Sequence, residues 1–364
     1  MKVSTFSHHF ARGWSLETFP DLDSEQTLVV AFAAPEYFDA PSPLAELSEA
    51  YPASTLIGCS TAGEIAGRRV QDDSISVAVL GLEHSRVAAA AARVEHRDDS
   101  FAAGEHLVGQ LDAEGLRGVF VLADGLDING SQLVDGLSRF PAHIPVIGGL
   151  AADSDRFART WVLHAGRPQT RAAAAVGFYG DRFQMTHGAR GGWETFGPER
   201  VVTRSHGNVL FELDGKPALT LYKEYLGDLA CGLPSTGLRY PLCICRDPGD
   251  AKRLVRTILG VDEARQSMLF AGDIPQGSIA QLMRASFDKL VGGAVEAASL
   301  ARAHADAAGP LAALAVSCVG RRLVLGEHVE DETEALLDHL PPGTHQLGYY
   351  SYGGISPYST GSCD

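Results

Sequence analysis

The sequence predicts mixed α/β layers built from repeated strand–helix–strand modules and organised as two domains. Three observations lead there. A short apolar run ending in a Gly-rich turn occurs three times, at Thr55–Ile65, Pro145–Asp153 and Gln346–Ile355. Each copy follows another apolar strand and a helix-like segment; those strands are Thr27–Ala33, Gly118–Ala123 and Leu311–Cys318. Some strands also follow one another directly, which favours mixed layers over a simple doubly wound sheet. Recurrence of one unit implies related modules with their turns at comparable places. Glycine suits such turns because it adopts positive φ and lets the backbone approach a neighbour closely.

Thr27–Ala33 reads as a buried strand, Pro41–Ala50 as a short helix stopped before Pro52, and Thr55–Ile57 as the strand feeding the turn at Gly58–Gly63. Ser74–Leu82 is a further strand. The order then repeats: a strand at Gly118–Ala123, a turn-rich loop at Asp124–Gly130, and a helix from about Ser131 with Leu133, Val134 and Leu137 on one face. Pro145–Ile147 leads to the turn at Gly148. Trp161–His164 and Ala172–Tyr179 read as an antiparallel pair joined across Gly166 to Pro168. The Gly-rich stretch Gly188–Pro198 reads as a linker or a binding loop. Val209–Pro217 reads as a strand, an Asp-Gly turn and a helix start. Ser278 with Gln281 has the capping-box spacing, so a helix is expected beyond it, with Ile279, Leu282, Met283, Phe287, Leu290 and Val291 as its core stripe and an Ala-rich tail to about Ala308.

The chain has 364 residues, 45% of them hydrophobic, enough for two domains with buried cores. Its formal net charge of −15 argues against nucleic acid or an anionic membrane surface as the main partner. The six cysteines (Cys59, Cys231, Cys243, Cys245, Cys318 and Cys363) are scattered and mostly in apolar context. That fits a reducing compartment better than a disulfide framework. The N-terminus has no apolar signal core and no run reaches membrane-span length, so a cytoplasmic protein is expected.

Gly58-Cys-Ser-Thr-Ala-Gly63 has the glycine spacing of a phosphate loop, but Glu64 and Ile65 stand where Lys and Ser/Thr are required. The remaining readings are a tight turn, or backbone N–H groups facing an anionic ligand. Cys59, Ser60 and Thr61 have no nucleophile-elbow pattern around them. Cys243 and Cys245 alternate, so both face one side of a strand as core residues, not as a zinc or redox pair. His8, His9, His84, His96, His106, His304 and His339 sit in polar or helical surroundings and are expected to be exposed. His187 and His206 stand out, His187 because it adjoins the Gly-rich loop carrying Trp193 and Phe196. An imidazole beside aromatic groups suits haem or another planar ligand, although a structural histidine is the commoner outcome.

Several blocks together resemble the FIST family of bacterial sensory proteins. They are Gly58–Ile65, Gly148–Asp153, Gly191–Trp193, Phe196–Pro198, Glu212–Ala218, Phe270–Pro275 and Tyr350–Ile355, in family order across nearly the whole chain. The resemblance implies an N-terminal region over residues 1–187 and a C-terminal region over 188–364. It looks closest to the NosP-type members, which bind haem b, sense nitric oxide and act on a histidine kinase. On that reading His187 is the first choice of axial ligand and His206 the second. Two departures weaken the carry-over of haem. Gly353-Gly354 stands where the family usually has Gly-Glu, and family members usually continue past the position of Asp364 with a strand containing His-Asn-Gln. The C-terminal region is therefore expected to be truncated.

No complete catalytic constellation and no output motif is present, so a non-enzymatic sensor acting on a protein partner is expected. The competing ligand is a small anionic metabolite, such as an amino acid. The candidate ligand-binding residues are Gly58, Cys59, Ser60, Thr61, Gly63, Gly148, Gly149, Asp153, Trp193, Tyr350 and Tyr352. The cleft is expected where the three turns approach one another, or where the Gly191–Phe196 loop covers them, with an inter-domain position favoured.

Overall fold

The computed structural model describes residues 1–246, 253–303, 311–359 and 362–363. Three strand–helix–strand units, each with its two strands parallel, make up the frame. The first pairs Thr27–Ala33 with Thr55–Ser60 through the helix Ser42–Ala50. The second pairs Leu116–Ala123 with Val146–Leu150 through the helix Gly130–Leu137, which Asn129 caps by accepting from the Ser131 and Gln132 N–H groups. The third pairs Ala312–Cys318 with His345–Ser351 through the helices Val319–Leu325 and Val329–Asp338.

The first unit lies in a seven-stranded sheet with Val162–His164, Arg167–Gln169, Ser74–Gly81, Lys2–His9 and Gly13–Trp14. The second lies in a five-stranded sheet with Ala172–Tyr179, Arg86–Arg93 and Gly353–Ile355. All seven residues of Thr27–Ala33 are buried, as expected of a central strand covered on both faces. One face, with Leu28, Val30 and Phe32, packs on Phe120, Leu122, Val176 and Phe178 of the five-stranded sheet. The other, with Val29 and Ala31, packs on Leu44 and Leu47 of the first helix. The result is α/β/β/α layering. The third unit joins a four-stranded sheet with Glu64–Ala66 and Arg69–Gln71, so the end of the chain returns to the N-terminal layers.

A second body holds a twisted antiparallel sheet. It includes the long strand Glu194–His206, flanked by Val209–Leu213 and Ile279–Arg284, and it packs on the helix Ala218–Leu226. The α/β, two-domain prediction holds.

The repeat is real, but one member differs from expectation. Gly58, Gly148 and Gly348 occupy equivalent places, opposite Ala31, Val121 and Ala315 on the parallel partner. A Cβ there would lie 1.9, 1.7 and 2.1 Å from the partner's carbonyl oxygen. Close approach of two strands, more than a turn, is what requires glycine. Gly353 is not the third counterpart. The third strand runs straight on to Ser351, and Gly353 begins a short strand paired with Val146–Leu150.

Four other local expectations are corrected. Ile279–Arg284 is a strand, paired on both sides, and Ser278 Oγ donates to the Pro275 carbonyl at 2.6 Å instead of capping a helix. Burial alternates through most of that run, and the helix begins only at Phe287 and is described to Ala303; the expected tail beyond it lies outside the described residues. Val162–His164 pairs with Arg167–Gln169, while Ala172–Tyr179 belongs to the other sheet. From Glu194 onward the stretch read as a linker or a binding loop is part of the long strand. His8 is half-buried, its Nδ1 2.7 Å from the Tyr37 hydroxyl. His304 and the side chain of Cys363 also lie outside the described residues.

Candidate functional site

The three turns do converge. The Ala152 N–H donates to the Ser60 carbonyl at 3.0 Å, the Ala62 N–H to the Tyr350 carbonyl at 2.8 Å, and the Tyr350 N–H to the Gly63 carbonyl at 3.0 Å. Gly149 stands opposite Gly354 in the sheet. The junction is closed, however. Cys59, Ser60, Thr61, Asp153, Tyr350 and Tyr352 are each at most 1% exposed. Their side-chain polar groups are spent on protein partners. Asp153 accepts from the N–H groups of Ala158 (2.7 Å) and Arg159 (2.8 Å) and from the Tyr352 hydroxyl. Ser60 Oγ accepts from the Trp161 N–H at 3.1 Å. These residues are the seal between modules, and their backbone N–H groups face protein.

Glu64 is the most perturbed acid of that junction. It is 1% exposed and lies beside the third unit, opposite Tyr349. Ser74 donates to it twice, from Oγ at 2.6 Å and from N–H at 3.3 Å, and Thr61 donates its hydroxyl. Burial outweighs those donors and pushes the carboxyl up to about 8. Burial also raises the Cys59 thiol well above its ordinary range, which keeps it protonated and unreactive.

The open space lies elsewhere. A groove of about 450 Å³ is lined by Gly191, Gly192, Trp193, Glu194, Thr195, Arg253, Val255 and Met283. It runs along the antiparallel sheet at the start of the strand Glu194–His206. Gly192 adopts φ +69°, and a Cβ on it would lie 2.5 Å from the Lys289 carbonyl, so this wall sits directly on the start of helix Phe287–Ala303. Trp193 packs against Gly191 and Gly320. The groove joins an apolar aromatic surface to one guanidinium, from Arg253, and one carboxylate, from Glu194. Of the sequence candidates, Trp193 alone lines it. Arg253 and Val255 carried no sequence signal and Met283 only that of an expected helix core; strand pairing brings Val255 and Met283 there, with Arg253 just before Leu254–Arg256.

A second void, between Ala218–Leu226 and the sheet, is apolar and has only about 20 Å³ of space, roughly the room of a single water.

His187 and His206 are not brought together at the groove. His187 is half-buried, and the adjoining Gly188 packs on Ala297 and Ala301 of helix Phe287–Ala303. His206 is exposed at a strand end, beside the hairpin glycine Gly207 near Asp273 and Gln132. Neither lines the groove, so its lining does not fit a histidine-ligated haem. No cluster of three or more His, Cys, Asp or Glu side chains that could hold a metal ion occurs among the described residues. No helix among them is long and apolar enough to cross a membrane.

Comparison with known families places this architecture. The FIST N domain matches residues 27–216 and the FIST C domain residues 218–357. The chain belongs to the FIST family. FIST domains are sensory and bind small ligands. Two uncharacterised proteins from two strains of Mycobacterium tuberculosis are each 25% identical to this FIST protein over 338 residues, covering 86% of this chain and 82% of theirs. An uncharacterised protein of Methanocaldococcus jannaschii is 27% identical over 191 residues, 49% of this chain and 36% of its own length. The groove draws on both matches: Gly191–Thr195 fall within the FIST N match, and Arg253, Val255 and Met283 within the FIST C match.

Proposed function

We propose that this protein is a non-enzymatic sensor whose groove at Gly191–Thr195 binds a small ligand and whose occupancy is read by a protein partner. The observation that carries this reading is the contrast between the two candidate places. The three-turn junction is sealed, and the groove combines size, an aromatic wall and one charge of each sign. A small anionic or zwitterionic metabolite suits that lining, with Arg253 facing a carboxylate and Trp193, Val255 and Met283 facing the apolar part.

Calorimetric titration with a panel of amino acids and dicarboxylates tests the reading. Binding that Arg253→Ala and Trp193→Ala each weaken at least about tenfold supports it. Binding unchanged by both variants, or by none of the panel, counts against it.

The NosP resemblance adds a second reading: haem b as the bound group, nitric oxide as the signal and a histidine kinase as the partner. It is supported by the resemblance alone. Absorption spectra after haem reconstitution, in the parent, His187→Ala and His206→Ala proteins, decide it. A kinase whose autophosphorylation rate responds to the liganded protein identifies the output.

A further inference from the structure

We propose that Arg321 is the positioning residue of the groove's Gly191–Thr195 wall, and that its partner Glu332 ties this wall through Tyr350 to the three-turn junction. The proposal concerns regulation of the groove and in that sense rests on its reading as the ligand site.

Arg321 is 5% exposed and serves three elements at once. Its Nη1 donates to the Gly191 carbonyl, its Nη2 to the Leu290 carbonyl at 2.6 Å, and its Nε to Glu332 Oε1 at 2.6 Å. Gly191 belongs to the groove wall, and Leu290 lies in the first turn of the helix under that wall. A planar guanidinium can satisfy three acceptors in fixed directions, which an ammonium on a flexible stem does poorly. Replacing a buried ion pair with apolar residues is often neutral or stabilising. The Arg321–Glu332 pair, 6% exposed on each side, therefore asks for a reason other than bulk stability.

Its onward connections supply one. Glu332 Oε2 accepts the Tyr350 hydroxyl at 2.8 Å, and Glu332 Oε1 accepts the Ser317 hydroxyl at 3.0 Å. The Tyr350 backbone bonds to Gly63 and Ala62 in both directions. The next residue on the same helix, Arg322, reaches the opposite way, to the Ala62 carbonyl and to Asp72 at 2.6 Å. Successive helical residues diverge by about 100°, so one short helix sends one arginine to the groove and one to the turn at residues 61–64. An unbroken line of hydrogen bonds thus runs from Gly191 through Arg321, Glu332 and Tyr350 to Gly63. Movement of the wall by a bound ligand is carried along this line to the seam between modules.

Amide hydrogen exchange of the ligand-free full chain tests the connection. Tyr350→Phe removes only the hydroxyl that steadies Glu332, and is expected to speed exchange in residues 190–195 about tenfold. Tyr352→Phe, an equally buried hydroxyl whose partners are the Asp153 carboxylate and the Ser154 carbonyl, is expected to leave those amides unchanged. Arg321→Lys, which keeps the charge for Glu332, is expected to speed exchange in 190–195 and 287–291 together. Tyr350→Phe acting only on residues 60–64 and 349–352 overturns the proposal. So does a uniform rise along the chain in both tyrosine variants. A parent protein that binds no ligand in its groove defeats the functional reading and leaves the exchange result standing, so the two failures are distinguishable.

Discussion

The Tyr352 hydroxyl donates to the Asp153 carboxylate, and this bond joins the bend that follows the third unit's last strand to the turn of the second, 199 residues apart. It changes the meaning of Asp153. A carboxylate at a Gly-rich turn suggests a ligand contact, yet here it organises its own loop through the Ala158 and Arg159 N–H groups and holds a distant tyrosine.

Asp153→Ala leaves two backbone donors without their acceptor and leaves the buried Tyr352 hydroxyl only the Ser154 carbonyl, at 2.9 Å. A loss of about 3 kcal/mol in unfolding free energy is expected from groups of this kind. Urea denaturation measures it, and ligand binding in the groove at Arg253 and Trp193 should persist wherever the variant stays folded. A cost below about 1 kcal/mol would mean that water replaces Asp153, in conflict with its 1% exposure.

Stability should fall as pH rises through the range in which Glu64 ionises. Its folded value, about 8, lies above the ordinary 4.5. A carboxyl raised on folding binds its proton more tightly in the folded state. Its contribution is fully present below about 4.5 and is lost as pH climbs through about 8. A shift of that size corresponds to at most about 5 kcal/mol. Glu64→Gln keeps the shape without the charge, so it should flatten the profile and exceed the parent in stability at pH 9. Denaturation midpoints at pH 6, 7.5 and 9 decide it; parallel profiles for the two proteins would show that Glu64 does not titrate in this range.

Alanine at Gly58 or Gly348 should disrupt folding, because each new Cβ would meet a backbone carbonyl at 1.9 or 2.1 Å and a strand cannot yield as a side chain does. Gly354→Ala should be nearly silent, since a Cβ there meets nothing within 4 Å. Soluble yield and thermal midpoints compare the three. Tolerance of alanine at both Gly58 and Gly348 would remove the close-approach explanation of the repeat.

Gly192→Ala should loosen the groove wall without unfolding the protein. It combines a φ of +69° with a Cβ 2.5 Å from the Lys289 carbonyl. Loss of about 1–3 kcal/mol is expected from backbone strain of this kind, with exchange rising at residues 190–195 and at the start of helix Phe287–Ala303. Exchange unchanged at both places would show that the loop does not press on the helix.

The sequence alone determined the three modules, their strand–helix–strand order and the convergence of their turns. These follow from local causes: continuous apolar runs such as Thr27–Ala33 make central strands, and glycine recurs wherever two parallel strands approach. It also picked out Trp193 and the loop around it. Only the tertiary structure decided which of these places is open. Burial is a property of what packs on a residue from far along the chain, so Ser60, Asp153 and Tyr352 look like a binding turn in sequence and form a sealed seam in space. The same reason hid Arg253, Met283, Arg321 and Glu332. Each gains its role from neighbours supplied by other strands and helices, and no local pattern marks a residue whose partners lie elsewhere in the chain.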